Sequence, residues 1–153
     1  MPAEYVFQCA NCGTENPVDA SSVNDKMRCA SCGSLLVKSQ CLPVEVTDAS
    51  FERTVLQPGP PVVLYLWGPN CGVCANYTMS VRKMAASLCG LARTAMINAE
   101  ENPVSPGKYG LKGVPTLMVF KDGRHVRTLE GPHGERSVRE ALAPLIQSPV
   151  TAS

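Results

Sequence analysis

From residue 44 onward, short apolar runs alternate with stretches whose apolar residues recur at helical spacing. Val44–Thr47 predicts a short strand, and Asp48 or Ser50 is placed to cap a helix running through Leu56. Gln57-Pro-Gly-Pro-Pro61 breaks the pattern. Val62–Trp67 is apolar at every position, which predicts a strand covered on both faces. A helix is predicted after Cys71 to about Leu88, with Gly90 just beyond its end. Thr94–Asn98 predicts another strand, and Pro103–Tyr109 a short helix stopped by Gly110. Thr116–Lys121 and Arg124–Leu129 flank Asp122-Gly123, a strong hairpin signal. Glu135–Gln147 predicts a last helix with Val138, Leu142, Leu145 and Ile146 on one face; Pro144 inside it predicts a kink or an early end. Ser148–Ser153 is expected to fray. The order βαβαβαββα predicts an α/β fold with a mixed sheet flanked by helices.

Residues 1–42 read differently. They hold four paired cysteines, many small polar residues and few large apolar ones. So short a segment cannot be stabilised by burial alone, and a bound metal is the simplest staple. The chain is therefore divided into a small N-terminal unit, 1–42, and a larger one, 43–148.

Net charge is +1, with 18% charged residues, so no general electrostatic grip on nucleic acid or anionic membrane is expected. The most apolar stretch, Pro60–Trp67, is far shorter than the ~20 residues a bilayer requires. Met1–Cys12 lacks a basic region followed by an apolar run, so no secretory signal is read and a cytoplasmic location is expected. Eight cysteines in a reducing compartment suggest metal binding or redox chemistry rather than a disulfide scaffold. Six of them form three Cys-x-x-Cys pairs.

Cys9/Cys12 and Cys29/Cys32 are separated by sixteen residues, within the range of a two-knuckle zinc site. Gly13 and Gly33 follow the second cysteine of each pair, where the turn requires a positive φ. Two such turns face four thiolates toward one tetrahedral point, with no position left for water, so the zinc would be structural. Two disulfides, free thiols or iron in the same cage are the alternatives. Lys26, Arg28 and Lys38 are set against Glu4, Glu15, Asp19 and Asp25, which argues against nucleic-acid binding by this unit.

The third pair lies in Trp67-Gly-Pro-Asn-Cys71-Gly-Val-Cys74, after an apolar strand and at the start of a predicted helix. Unpaired N–H groups and the helix dipole stabilise a thiolate there, so Cys71 is expected to attack and Cys74, one turn further in, to resolve the mixed disulfide. A further metal half-site or an inert pair are the alternatives for this motif by itself.

Over Val44 to Ile146 the chain resembles the thioredoxins. The motifs are Val62–Trp67, Cys71-Gly-Val-Cys74, Asn98-Ala-Glu-Glu-Asn-Pro103, Lys108-Tyr-Gly-Leu-Lys-Gly-Val-Pro-Thr-Leu117, Phe120-Lys-Asp-Gly123 and Gly131. With the four-cysteine segment in front, the whole chain is similar to the zinc-binding bacterial thioredoxins of the thioredoxin-2 type. The resemblance implies a thioredoxin fold preceded by a zinc ribbon, and protein-disulfide reductase activity. It implies protein disulfides as substrates and recharging by an NADPH-dependent thioredoxin reductase; a monomer is expected. It makes Pro115 the cis proline facing the redox pair and sets Trp67 beside that pair. Gly72, Val73, Gly113, Val114 and Gly131 would line the surface where an extended substrate segment docks.

The chain departs from the family pattern at several positions. Asn70 stands where a tryptophan is usual, Val73 where a proline is usual, and Ala75 where a basic residue is common. The family's buried aspartate aligns with Tyr65 and its lysine neighbour with Met96. Val73, unlike proline, keeps a backbone N–H near Cys71, which favours the reduced form and predicts a more oxidising couple. A disulfide oxidase or isomerase, and a non-catalytic binding module built on the same scaffold, are the rival functions. Cys89 is read as a buried core thiol. Cys41, at the junction, is read as a spare thiol, with a regulatory partner as the alternative. His125 and His133 are read as surface residues without a ligand role.

Overall fold

The computed structural model describes residues 4–146. The strands are β1 Glu4–Gln8, β2 Glu15–Asp19, β3 Cys41–Leu42, β4 Val44–Val46, β5 Val62–Trp67, β6 Arg93–Asn98, β7 Thr116–Lys121 and β8 Arg124–Glu130. The helices are α1 Phe51–Val55, α2 Gly72–Leu88, α3 Val104–Lys108 and α4 Glu135–Ile146. A five-stranded sheet has the order β4-β6-β5-β7-β8. Its first three strands run parallel, and β7 and β8 are antiparallel to their neighbours. This is the mixed sheet flanked by helices that the pattern predicts.

The all-apolar run Val62–Trp67 becomes the central strand β5 because both of its faces are covered. Val63 and Tyr65 pack against Tyr77, Val81, Met84 and Leu88 of α2 and Val138 and Leu142 of α4. Val62, Leu64 and Leu66 pack on the other face against Phe51 and Val55 of α1. Burying each such side chain contributes about 1.5–3 kcal/mol, so one strand anchors both layers. The hairpin forms at the predicted dipeptide, with φ of 50° at Asp122 and 82° at Gly123. Positive φ at both central residues gives the turn the twist of its strands.

Three strands were not read from the pattern. β2-β1-β3 form a separate antiparallel sheet in the N-terminal segment. They are short and polar, β2 contains Pro17, and their small core of Tyr5, Phe7 and Leu36 draws on residues far apart in sequence. Cys41 and Cys89 belong to this same cluster, so Cys41 is a buried free thiol packed with the N-terminal core.

The expected cap of α1 is corrected. Ser50 occupies the cap position, but its hydroxyl bonds Thr47 and not the helix. Asp48 reaches instead to α3, accepting from the amides of Val104 at 3.1 Å and Ser105 at 2.8 Å. Burial pushes the Asp48 carboxyl up, but the bonds from Ser105 and Val104 outweigh it and hold the group below its ordinary value. A carboxyl depressed in the folded state adds stability above its unfolded pKa of ~3.9, lost as pH falls through the folded value. Asp48→Ala is expected to cost about 1 kcal/mol at neutral pH. Calorimetry should show a melting point lower by about 4 °C, a difference that shrinks toward zero in strong acid.

The break at 57–61 is held from outside. Arg93, buried at the start of β6, donates to the carbonyls of Thr54, Gln57 and Pro60 at 3.0–3.2 Å. Helix α4 continues past Pro144 to Ile146; the expected Gln147 end and the tail lie outside the described residues. His125 is half-buried against Tyr109 and Phe120, and His133 is half-buried with its ring bonded to the Glu130 carbonyl. Among the described residues no helix is long and apolar enough to cross a membrane.

Candidate functional site

Helix α2 begins directly after β5 and the loop Gly68–Cys71. Cys71 is its cap residue: its Sγ accepts from the Cys74 backbone N–H at 3.1 Å. The two sulfurs are joined as a disulfide, with Cα atoms 5.3 Å apart. Cys71 is half-buried and Cys74 is 2% exposed, so a docked molecule meets Cys71 first. The amide that reaches Cys71 is that of Cys74; no bond from Val73 to this sulfur is present among the described residues.

The loop before β7 closes over the pair. The Val114–Pro115 bond is cis, and the Val114 carbonyl oxygen lies 3.8 Å from Cys71 Sγ. Gly131 donates its N–H to the Pro115 carbonyl at 2.9 Å, and Thr116 Oγ1 donates to the Gly113 carbonyl at 2.6 Å. Two shallow clefts flank the pair. One, of about 490 Å³, is lined by Gly72, Val73, Tyr77 and Pro132; the other, of about 240 Å³, by Gly113, Val114, Pro115 and Gly131. Val73 is 54% exposed, leaving apolar surface beside the disulfide. Trp67 is half-buried and packs against the α2 side of the core.

The family's unusual positions have local partners. Asn70 donates to the Glu100 carboxylate at 3.2 Å, tying the loop before Cys71 to the end of β6. The Tyr65 hydroxyl sits between the Cys74 carbonyl, at 3.2 Å, and the Thr78 hydroxyl, at 2.9 Å. Burial pushes the Tyr65 pKa up despite its bond to Thr78, so this side chain stays protonated and offers no proton acceptor to Cys74. Glu100, Thr78 and Pro132 were not singled out from the sequence; only their spatial neighbours reveal them.

The second cluster lies in the N-terminal segment. Each Cys-x-x-Cys turn is built alike. Cys9 N–H donates to Thr14 and Gly13 N–H to Cys9; Cys29 N–H donates to Ser34 and Gly33 N–H to Cys29, all at 2.8–2.9 Å. Gly13 and Gly33 have φ of 79° and 76°. The four Sγ atoms lie within 4.8 Å of one another, with Cys9···Cys32 at 3.5 Å and Cys12···Cys29 at 3.6 Å. A tetrahedral zinc with bonds of about 2.3 Å sets its sulfurs about 3.8 Å apart, so this donor set fits the ion. Asn16, which the sequence did not flag, bridges the turns: its amide donates to the Thr14 carbonyl and accepts from Ala30 N–H. The Asn11 amide and the Ser34 hydroxyl hold the Cys32 thiol down to about 5, toward the liganding thiolate form.

A sheet of this order carrying a cysteine pair at a helix start defines a class, the thiol–disulfide oxidoreductases of thioredoxin fold. Residues 42–144 match the family model described as Thioredoxin, and the chain belongs to that family. It is 41% identical to a thioredoxin of Rhodospirillum rubrum over 87 residues, 57% of this chain and 84% of that one. It is 41% identical to a thioredoxin of Pseudomonas aeruginosa over 88 residues, 58% of this chain and 82% of the relative. A chloroplastic M-type thioredoxin of Brassica napus is 28% identical over 141 residues, 88% of this chain and 79% of the relative. Protein-disulfide reduction is thus the activity at the level of the family. The four clustered cysteines lie before the matched residues.

Proposed function

We propose that this chain is a cytoplasmic, monomeric protein-disulfide reductase, with a redox domain at 43–148 and a structural zinc ribbon at 1–42. The observation that carries the reading is Cys71 Sγ at the cap of α2, accepting the Cys74 N–H and lying beside the Val114 carbonyl. In the reduced protein, the Cys71 thiolate attacks one sulfur of a substrate disulfide. That S–S bond breaks, and the departing substrate sulfur takes a proton. The Cys74 thiol then loses its proton and attacks Cys71 within the mixed disulfide. The second substrate thiol leaves, and two electrons have moved from the pair to the substrate. Tyr65 cannot take the Cys74 proton, so water or the leaving thiolate accepts it.

An extended substrate segment would lie along Gly113–Pro115, with Gly72, Val73 and Gly131 bordering its path and Trp67 fixing the loop in front of Cys71. An NADPH-dependent thioredoxin reductase is the proposed electron source. Cys9, Cys12, Cys29 and Cys32 would hold zinc, which supplies a four-way tie between two turns and takes no part in electron transfer. Reduction of insulin by the reduced chain, followed as turbidity, tests the reading; a chain as inert as its Cys71→Ser variant would leave only a binding scaffold.

The couple is expected to be more oxidising than thioredoxin's, at a potential less negative than about −270 mV. The positive end of α2 favours the Cys71 thiolate, and the Val73 N–H, which the family's proline lacks, adds to that field without bonding the sulfur itself. Equilibration with glutathione measures it. Val73→Pro should move the value more negative; a wild-type value at or below thioredoxin's overturns the expectation.

A further inference from the structure

Cys41 and Cys89 take no part in either site described above. Cys41 lies in β3, at the edge of the N-terminal sheet, and Cys89 closes α2 of the redox fold. Both are buried, 4% and 1% exposed, in one apolar cluster with Tyr5, Phe7 and Leu36. Strand β3 packs against α2, which places the two thiols in the same buried cluster, and neither sulfur is bonded to another, unlike Cys71 and Cys74. One buried thiol is ordinary packing. Two thiols brought into one cluster from the N-terminal sheet and from the end of α2 are placed to form a covalent bond between those elements.

The environment of the pair is polarised. The bond from Cys41 and the nearby Lys38 ammonium hold Cys89 below the usual thiol value, while the same bond and burial push Cys41 up. Cys89 is therefore the first of the two to ionise, the order in which one sulfur reacts and its neighbour follows. An open, apolar-walled cavity of about 490 Å³ lies alongside, lined by Leu36, Lys38 and Gly90, the residue after Cys89. A small polar oxidant can enter a space of that size.

We propose that Cys41 and Cys89 form a second dithiol–disulfide couple, which hydrogen peroxide closes to tie the N-terminal sheet covalently to the end of α2. The Cys89 thiolate attacks a peroxide oxygen; the O–O bond breaks and hydroxide leaves, giving a sulfenic acid on Cys89. Hydroxide takes up the proton that Cys89 had released. Cys41 then attacks the Cys89 sulfur, its proton departs with the sulfenic hydroxyl as water, and the S–S bond forms. Two thiols lose two electrons and one peroxide gains them, leaving as two waters. Neither Cys71 nor Cys74 is required, so the couple stands apart from the reductase activity.

The test uses the full chain, wild type and with Cys71→Ser and Cys74→Ser together, its metal content measured before and after treatment. Each is exposed to equimolar peroxide, unfolded in an alkylating agent and mapped by peptide mass without reductant. The expected result is a Cys41-peptide joined to the Cys89-peptide, lighter than the two free peptides by two hydrogens. It should go from a trace to the majority of molecules, with metal content unchanged, and dithiothreitol should reverse it. Cys89→Ala should leave Cys41 fully alkylated. The proposal is overturned if both thiols stay alkylatable under peroxide that oxidises Cys71 and Cys74 in the wild type. Separate oxidation to sulfinic acids, or linkage to the four clustered cysteines, overturns it equally.

Discussion

Cys71→Ser is expected to bring insulin reduction down to the uncatalysed background, a loss on the order of a thousandfold or more. The argument rests on position. Cys71 is the half-buried cap of α2, accepting the Cys74 amide at 3.1 Å, whereas Cys74 is 2% exposed behind it. A thiolate at a helix start is held by that amide and by the positive end of the dipole. A serine hydroxyl there stays protonated at neutral pH and cannot displace a sulfur. Cys74→Ser gives a different failure. Attack proceeds, no resolving thiol remains, and the chain accumulates as a mixed disulfide with its substrate. Non-reducing gels show the adduct, and dithiothreitol removes it. An adduct that forms in the Cys71→Ser chain and not in the Cys74→Ser chain would reverse the roles assigned to the two sulfurs.

How much of this was legible in the sequence depends on how local each signal is. Val62–Trp67 and Thr116–Lys121 form strands at the predicted bounds, because a short apolar run between turn residues, Pro61 and Gly68 for the one, Pro115 and Asp122-Gly123 for the other, has few other uses. The Asp122-Gly123 hairpin and the end of α2 before Gly90 are equally local. Asp48 shows where such reading stops. Its type and place suit the cap of α1, but its carboxylate bonds Val104 and Ser105 of a helix more than fifty residues away. Tertiary proximity decided between two helices that sequence position could not rank. The N-terminal strands were missed for a related reason: two or five residues, one of them Pro17, leave no period to detect. In the sites, the cysteines were visible because their spacing is itself the chemistry. Asn16, Glu100 and Thr78 were not, since asparagine, glutamate and threonine have many uses and only their neighbours specify one. The closeness of Cys41 to Cys89 required the register of β3 on β1, which pairs Cys41 with Phe7.

Removing the metal from the proposed four-sulfur site is expected to unfold the N-terminal sheet while the five-stranded sheet stays folded. The core of this segment is small, built on Tyr5, Phe7, Met27 and Leu36 together with thiols. A segment of this size cannot offset its chain entropy by burial alone. Structural zinc contributes about 10–16 kcal/mol of apparent binding free energy in comparable sites, far more than such a core provides. The amides of β1 and β2 should therefore lose hydrogen-exchange protection by orders of magnitude after chelation, whereas those of β5 and β7 keep theirs. Native mass spectrometry should count one zinc per chain before chelation. Cys12 separates ligation from packing, because its side chain is exposed and its loss opens no cavity. Cys12→Ser should release the metal and expose β1 and β2 to exchange without chelator, and Cys12→His, which restores a nitrogen ligand, should retain it. Full protection of β1 and β2 in a metal-free chain would show that hydrophobic packing alone holds this segment, and the ribbon would lose its assigned staple.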